Sequence, residues 1–368
     1  PAFRLKFFSV YDDGQQPLDA ECITGELGRF AIRFDGQGQM LDYYQLQAGE
    51  IPKEGYRAEK FLIETMKGSP FYNGYTYLDT TDPAATQASL AATHEKYREK
   101  CGDLFGTKLL GIFTDEPYRG ALLNGFAFAN ANSLHMLPYS AGLYGKYRSL
   151  WGEELGARLP ELFYRFAGKS AGRTMYRYIE SMQQLFLENF ARPYRDWCRK
   201  NKLVFTGHVL HEDSLAMQTL FQGSVQRFYE YMDYPGIDIL TEGNRAYWVA
   251  KQAQSVARQF KKPHVLSELY GCTGWQFNFR SHRDVGAWQA LLGVNVRNHH
   301  LCWYTMEGEA KRDYPASIFF KHIENKLNCC RFSCSIRADK PHNIPLWQRE
   351  ANIIQRKITK TLAYILQF

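Results

Sequence analysis

The chain has 368 residues, of which 45% are apolar and 15% aromatic, enough for one large domain or two ordinary ones. Its formal net charge is +7, but residues 320–368 hold nine Lys and Arg against three Asp and Glu, so the rest is close to neutral. A nearly neutral body excludes nucleic acid as an evident partner.

The cysteines and the apolar stretches bear on the compartment. Eight cysteines are scattered without a C-x-x-C pair, which argues against a disulfide framework or structural zinc and favours a reducing, cytoplasmic environment. No apolar stretch is long enough to span a bilayer, and the start lacks a signal-peptide pattern. Because the chain begins with Pro1 rather than a methionine, we expect an upstream segment, so the missing signal decides nothing about localisation.

The first 58 residues are typical of a small β subdomain. Strand-forming residues fill Phe3–Val10 and Gly28–Phe34. The turn signals Asp12–Gly14 and Asp35–Gly38 follow these strands. This subdomain or insertion carries no catalytic pattern of its own.

From residue 75 onward the pattern changes to alternating strands and helices, which indicates a parallel sheet with right-handed crossovers. Asp82 and Pro83 begin a helix to about residue 100, and a helical stretch over 140–200 is broken near Gly168–Gly172. A further helix begins near Asp213, another follows the strand at Ile237–Glu242 and ends at about residue 261, and a third covers Arg283–Leu292. Six strands are predicted: Tyr75–Asp79, Lys108–Phe113, Leu203–His208, Ile237–Glu242, His264–Glu268 and Val294–Tyr304.

Six strands over this length predict most of a TIM (β/α)8 barrel, which takes roughly 250 residues when complete. We therefore assign residues 59–318 to a barrel catalytic domain and expect the first two strands to precede Pro1, which makes the chain an internal fragment of a longer product. Residues 319–368 form a basic tail to which we assign no function.

Nearly every predicted strand ends on a polar side chain, and in a barrel these ends meet at one rim. Carboxylates and imidazoles crowded on one rim suit glycoside hydrolysis, in which one carboxyl protonates the glycosidic oxygen and another attacks the sugar or activates water. The residues at these ends are Asp79, Asp115, Glu116, His208, His211, Glu212, Glu242, Glu268, His299 and His300. Glu116 and Glu268 are the predicted catalytic pair.

Two other readings stay open. His208-x-x-His211-Glu212 together with His299-His300 could bind a divalent metal, as in barrel hydrolases that activate water. A sugar-binding protein without catalysis would use the same polar rim and the aromatic side chains.

Five segments together resemble large bacterial glycoside hydrolases, distantly similar to family 106 α-L-rhamnosidases and to clan A barrels. The segments are Gly111–Pro117, Gly207–Asp213, Gly236–Gly243, Leu266–Gly271 and Trp303–Pro315. The resemblance covers roughly residues 60–318.

The resemblance implies a barrel in which Glu116 ends strand four as acid/base and Glu268 ends strand seven as its partner. Asp115 departs from the clan pattern, which usually has Asn before the acid. The family 106 scheme resembles an inverting, calcium-assisted one, which would favour Glu212 or Glu242 as base. Otherwise we predict no cofactor, no nucleic acid and no membrane partner. The partner is a glycoside or oligosaccharide, contacted by Asp79, Asp115, Arg119, His208, His211, Glu212, Glu242, Tyr270, Trp275, His299 and Trp303.

Overall fold

Two five-stranded sheets organise the chain. The computed structural model describes residues 3–17, 19–72, 74–120, 136–169, 172–273 and 277–300. The strands in chain order are β1 (Lys6–Asp12), β2 (Ile23–Phe34), β3 (Met40–Leu46), β4 (Arg57–Thr65), β5 (Gly111–Thr114), β6 (Met136–Tyr139), β7 (Val204–Gly207), β8 (Tyr234–Asp238), β9 (Leu266–Leu269) and β10 (Val296–His299).

The helices begin at recognisable caps. Asp82 is the N-cap of the first helix, in front of Pro83, and its side chain accepts a hydrogen bond from the backbone N–H of Ala84. The side chains of Ser214 and Asn278 cap two later helices in the same way. No helix within the described ranges is long and apolar enough to cross a membrane. The helices are α1 (Pro83–Ala92), α2 (His94–Cys101), α3 (Leu143–Trp151), α4 (Pro160–Phe163), α5 (Arg173–Phe186), α6 (Arg192–Lys200), α7 (Leu215–Phe221), α8 (Val225–Tyr229), α9 (Tyr247–Gln259) and α10 (Phe279–Leu291).

The chain divides into two compact units. The first comprises Pro1–Tyr97, Glu116–Asp196 and Val209–Phe228, and the second comprises Arg98–Asp115, Trp197–His208 and Tyr229–Phe368. Each sheet belongs wholly to one unit. The domain boundaries predicted at residues 58 and 318 remain predictions.

The first unit is built on an antiparallel sheet with strand order β3-β2-β4-β1-β6. One face packs Phe8, Phe30 and Phe61 against Tyr178 and Met182 of α5, all of them buried. The rings of Phe30 and Phe61 meet edge to face with centroids 5.3 Å apart. Aromatic rings therefore make up much of this core, together with aliphatic side chains such as Leu143 and Leu159.

The second unit is built on a parallel sheet with strand order β10-β9-β8-β7-β5. Strands that are adjacent in this sheet also follow one another along the chain, apart from β6, which belongs to the other sheet. This is the order that a (β/α) barrel follows, and the five strands form a curled half-barrel sheet. The predicted parallel α/β sheet is thus confirmed as a five-stranded half-barrel. A closed eight-stranded barrel stays a prediction.

Two glycines let the parallel strands come together. Gly207 has φ +130°, and a Cβ at this position would lie 2.0 Å from the carbonyl oxygen of Thr114 in β5. A Cβ at Gly236 would lie 1.9 Å from the carbonyl oxygen of Gly207. Only glycine fits where backbone approaches backbone this closely.

Two predicted strands were wrong in place or kind. Tyr75–Asp79 belongs to the first unit and not to the parallel sheet, since Leu78 forms only an isolated antiparallel bridge with Arg4. The strand predicted over Ile237–Glu242 runs instead over Tyr234–Asp238. Pro235 and Gly236, which precede the predicted strand, both lie inside β8. The last part of the strand predicted over Val294–Tyr304 lies outside the described residues, as does the tail over 319–368.

Candidate active site

Each strand of the parallel sheet contributes a polar side chain at or near its carboxyl end. Asp115 follows β5, His208 follows β7, Asp238 is the last residue of β8, Glu268 lies one residue before the end of β9, and His300 follows β10. The carboxyl ends of parallel strands meet at one edge of a sheet. The structure brings these five side chains together, and we call them the strand-end cluster.

His208 is the centre of the strand-end cluster. Its Nε2 lies 3.1 Å from Oδ1 of Asp115 and 3.5 Å from Oδ2 of Asp238, and its Nδ1 lies 3.6 Å from Oε2 of Glu268. Nε2 of His300 lies 3.8 Å from Oε1 of Glu268. Two imidazoles therefore neighbour three carboxylates, and either ring, when protonated, offsets part of their negative charge.

Strand register places these side chains. Asp238 pairs with Glu268 across β8 and β9, and paired residues of parallel strands point to the same side of a sheet. The backbone N–H of His208 donates to the carbonyl oxygen of Thr114 at 3.2 Å, which fixes the end of β7 against the end of β5. Pairing of the strands thus sets the separation of the carboxylates.

The cluster runs from solvent into the interior. The exposed fraction of the side chain is 76% for Asp115, 23% for Asp238, 8% for Glu268 and 1% for His208. A carboxylate as buried as Glu268 is costly to keep without hydrogen-bonding or charged neighbours, and the two imidazoles supply them.

The surroundings push the pKa values of the two aspartates apart. A hydrogen bond with His208 lowers the pKa of Asp115 below its usual range. Burial raises the pKa of Asp238, against the opposing charges of His208 and His300. A carboxyl with a raised pKa donates a proton more readily, while one with a lowered pKa stays ionised. Of the two aspartates, Asp238 is therefore the one whose surroundings favour the protonated form.

Three other predicted site residues of the second unit lie around His282. The ring of Tyr270 lies 5.3 Å from that of His299 and 4.9 Å from that of His282, centroid to centroid. Burial lowers the pKa of His299 to about 4 and raises that of Tyr270. Glu242 is exposed, and its charge opposes the lowering of the His282 pKa by burial. Tyr270 and His299 thus belong to an aromatic group, and His299 is neutral at pH 7.

Asp79 and Arg119 lie in the first unit and are buried. Asp79 accepts hydrogen bonds from the backbone N–H of Thr81 at 3.0 Å and from its hydroxyl at 2.6 Å, while burial raises its pKa to about 6. Arg119 is fully buried, and its Nη2 donates to the carbonyl oxygen of Thr219 at 2.7 Å. Their predicted contacts with substrate stay predictions.

Glu116, His211 and Glu212 also belong to the first unit. Glu116 is exposed and has φ +48°. His211 packs its ring 4.4 Å from that of Phe221, and Glu212 is buried. Because Glu116 and Glu268 fall in different units, the predicted catalytic pair stays a prediction.

Sequence reasoning missed Asp238. The pattern Ile237-Asp238-Ile239, an acid between two β-branched residues, could have marked it, but the strand end was assigned to Glu242. His300 was predicted at the rim and in the alternative metal site, but not as a substrate contact. Trp275 and Trp303, predicted to contact substrate, lie outside the described residues.

Part of the cluster could hold a metal ion. Asp115, His208 and Glu268 each offer one ligand atom, and these atoms lie within 4.8 Å of one another. Mixed imidazole and carboxylate ligands suit zinc or manganese better than calcium, which prefers oxygen ligands. Of the residues predicted for a metal site, His208-x-x-His211-Glu212 with His299-His300, only His208 belongs to this group.

The comparisons with known proteins bear on the fold. No protein-family model matches the chain, and no curated protein matches it. Among solved structures, the chain is similar to a rhamnosidase from Novosphingobium sp. PP1Y, with a TM-score of 0.52 and 18% sequence identity. The match covers 72% of this chain and 24% of the rhamnosidase, so the chain spans about a quarter of that protein's length. The chain therefore shares its fold with part of this rhamnosidase.

Proposed function

We propose that the chain is a glycoside hydrolase whose chemistry takes place at the strand-end cluster. The observation that carries the proposal is the meeting of Asp115, Asp238 and Glu268 around His208 at the carboxyl edge of a parallel sheet. Barrel enzymes hold their catalytic residues at this edge. The similarity of fold to a rhamnosidase makes α-L-rhamnosides the first substrates to test.

Glu268 is the proposed carboxylate that acts on the sugar. It is buried, and the imidazoles of His208 and His300 lie 3.6 and 3.8 Å from its two oxygens. Such a carboxylate either attacks the anomeric carbon or removes a proton from the attacking water. When protonated, the nearby imidazoles offset part of its negative charge.

Glu116 is the proposed general acid, on the strength of its place directly after Asp115 at the end of β5. Asp238 is the alternative proton donor, because its raised pKa favours the protonated form. The two assignments differ in a measurable way. Loss of the true acid lowers turnover of an alkyl glycoside far more than that of a dinitrophenyl glycoside, whose leaving group needs no proton. Glu116→Gln and Asp238→Asn, compared on both substrates, identify the donor.

The proposed reaction is tested with a panel of aryl and unactivated glycosides that includes α-L-rhamnosides. We expect release of a free sugar, and the anomer formed first, followed by proton NMR, distinguishes a retaining from an inverting reaction. Binding of a sugar without any product would identify a carbohydrate-binding protein instead. If the chain neither binds nor hydrolyses any glycoside of the panel, the proposal is contradicted.

A metal-dependent hydrolase is the second candidate, and the grouping of Asp115, His208 and Glu268 favours it. A divalent ion held there would polarise a bound water so that it attacks the substrate as hydroxide. In that case chelation would abolish turnover, added zinc or manganese would restore it, and elemental analysis would find about one ion per chain. Turnover unchanged by chelator, with no bound metal, would contradict this candidate and favour the paired-carboxylate reaction.

A further inference from the structure

Glu116 is held in an unusual backbone conformation. Its φ is +48°, in the left-handed region that a residue with a side chain rarely adopts. The next residue is Pro117, which is buried. A conformation of this kind persists only where the surroundings fix it. The two residues after Pro117 are held by several contacts.

Tyr118 is anchored through its ring, its hydroxyl and its backbone. Its ring stacks on that of Tyr77 with centroids 4.4 Å apart, and its hydroxyl pairs with that of Tyr72 at 2.9 Å. Its backbone N–H donates to the hydroxyl of Tyr77 at 3.3 Å, and its carbonyl oxygen accepts from the hydroxyl of Thr80 at 2.7 Å. With 3% of its surface exposed, the side chain has little room to move.

Arg119 ties the same loop to the end of α7. Its backbone N–H donates to the carbonyl oxygen of Phe221 at 3.2 Å, and its Nη2 donates to that of Thr219 at 2.7 Å. The guanidinium is fully buried, and burial lowers its pKa to about 10. Burying this charge is costly, and the carbonyl oxygens that accept from it offset part of that cost.

The negative charge of the Glu116 carboxylate affects the pKa values of the tyrosines around residue 118. Its negative charge contributes to the raised pKa of Tyr72, Tyr77 and Tyr118, for each of which burial is the larger cause. The carboxylate is therefore near the group of phenols that fixes residue 118.

We propose that Tyr118 and Arg119 are positioning residues that fix the carboxyl group of Glu116 for proton donation, with Tyr72 completing the anchor through its hydroxyl. The inference rests on the proposed function, in which Glu116 is the general acid. Arg119, predicted from the sequence to contact substrate, acts in this proposal through Glu116, three residues before it in the chain. A general acid must stay within hydrogen-bond reach of the leaving oxygen, so a small displacement affects only the steps that need its proton.

The test compares two substrates of whichever sugar is hydrolysed, an alkyl glycoside and a dinitrophenyl glycoside. In Tyr118→Phe and Tyr72→Phe we expect kcat on the alkyl glycoside to fall by about tenfold, with KM nearly unchanged and kcat on the dinitrophenyl glycoside nearly unchanged. Arg119→Met should show a larger selective loss, and Arg119→Lys should restore part of it because it keeps a donor near Thr219. Thermal melting confirms that each variant is folded.

Tyr11→Phe is the matched control. Tyr11 is buried in β1 of the same unit and donates to Glu64 at 3.1 Å, so the change removes a comparable hydroxyl away from the loop. It should affect both substrates equally. If Glu116→Gln lowers alkyl turnover selectively while the Tyr118, Tyr72 and Arg119 variants do not, the positioning role is wrong and the acid assignment stands. If Glu116→Gln shows no selectivity, the acid assignment and the inference built on it are both wrong.

Discussion

Nε2 of His208 lies 3.1 Å from Oδ1 of Asp115, and this contact joins the ends of two adjacent parallel strands. His208 is almost fully buried while Asp115 is mostly exposed, so the contact links the interior of the second unit to its surface. The same imidazole lies 3.5 Å from Asp238 and 3.6 Å from Glu268. One side chain therefore stands among three carboxylates that would repel one another more strongly without it.

Replacing this imidazole tests its central place. We expect His208→Asn to lower turnover by at least about tenfold and the free energy of unfolding by about 1–3 kcal/mol, because carboxylates would lose their shared partner. Steady-state kinetics and urea denaturation measure the two effects. His264→Asn is the matched control, since His264 lies ahead of β9 and packs against Tyr234. Equal turnover in both variants would show that His208 has a structural role and does not contribute to turnover.

Gly207 is predicted to be indispensable for the β5–β7 pairing. A Cβ there would lie 2.0 Å from the carbonyl oxygen of Thr114, and φ is +130°. Gly207→Ala should lower the free energy of unfolding by about 2–4 kcal/mol and disturb His208 beside it. Gly145→Ala, inside α3 with nothing within 4 Å of the added carbon, should instead stabilise the chain by about 0.5–1 kcal/mol. Wild-type stability in Gly207→Ala would contradict the strand approach described above.

Asp79 should make stability depend on pH. Burial raises its pKa from 3.8 to about 6, so the folded chain binds a proton that the unfolded chain releases. Its contribution is therefore most favourable below pH 4 and is lost as the pH rises to 6, at a cost of about 3 kcal/mol at pH 7. Asp79→Asn keeps an acceptor for Thr81 and should be more stable than the wild type at neutral pH.

Urea denaturation between pH 4 and pH 7 checks this prediction. The difference in unfolding free energy between Asp79→Asn and the wild type should grow across that range. Asp82→Asn, at the N-cap of α1, is the control, because asparagine also caps helices. A wild-type pH profile in Asp79→Asn would mean that Asp79 is not the group that titrates.

The sequence predicted the strand ends well where an apolar run stops at a polar residue. A strand that is buried on both faces needs a continuous apolar run, and the polar residue that ends the run marks the end of the strand. This pattern marked Asp115, His208 and Glu268, at the ends of Lys108–Phe113, Leu203–His208 and His264–Glu268. The structure also groups these three residues, with one ligand atom of each within 4.8 Å of the others. Local pattern was sufficient there.

Local pattern failed where tertiary contacts decide. Tyr77 lies in a segment with strand-forming residues, yet its ring stacks on Tyr118 instead of joining the parallel sheet. Pro235 and Gly236 form a common turn signal, but β8 needs Gly236 for its close approach to Gly207. That requirement depends on the neighbouring strand, so the chain alone could not reveal it, and Asp238 was missed with it.

The central claim is that Glu268 takes part in cleaving a glycosidic bond. Its most direct test is kcat for Glu268→Gln on a glycoside that the wild type hydrolyses, beside Glu64→Gln, which removes an equally buried carboxylate from the antiparallel sheet. We predict a loss of at least about 100-fold for Glu268→Gln and unchanged turnover for Glu64→Gln. Wild-type turnover in a folded Glu268→Gln variant would contradict the claim.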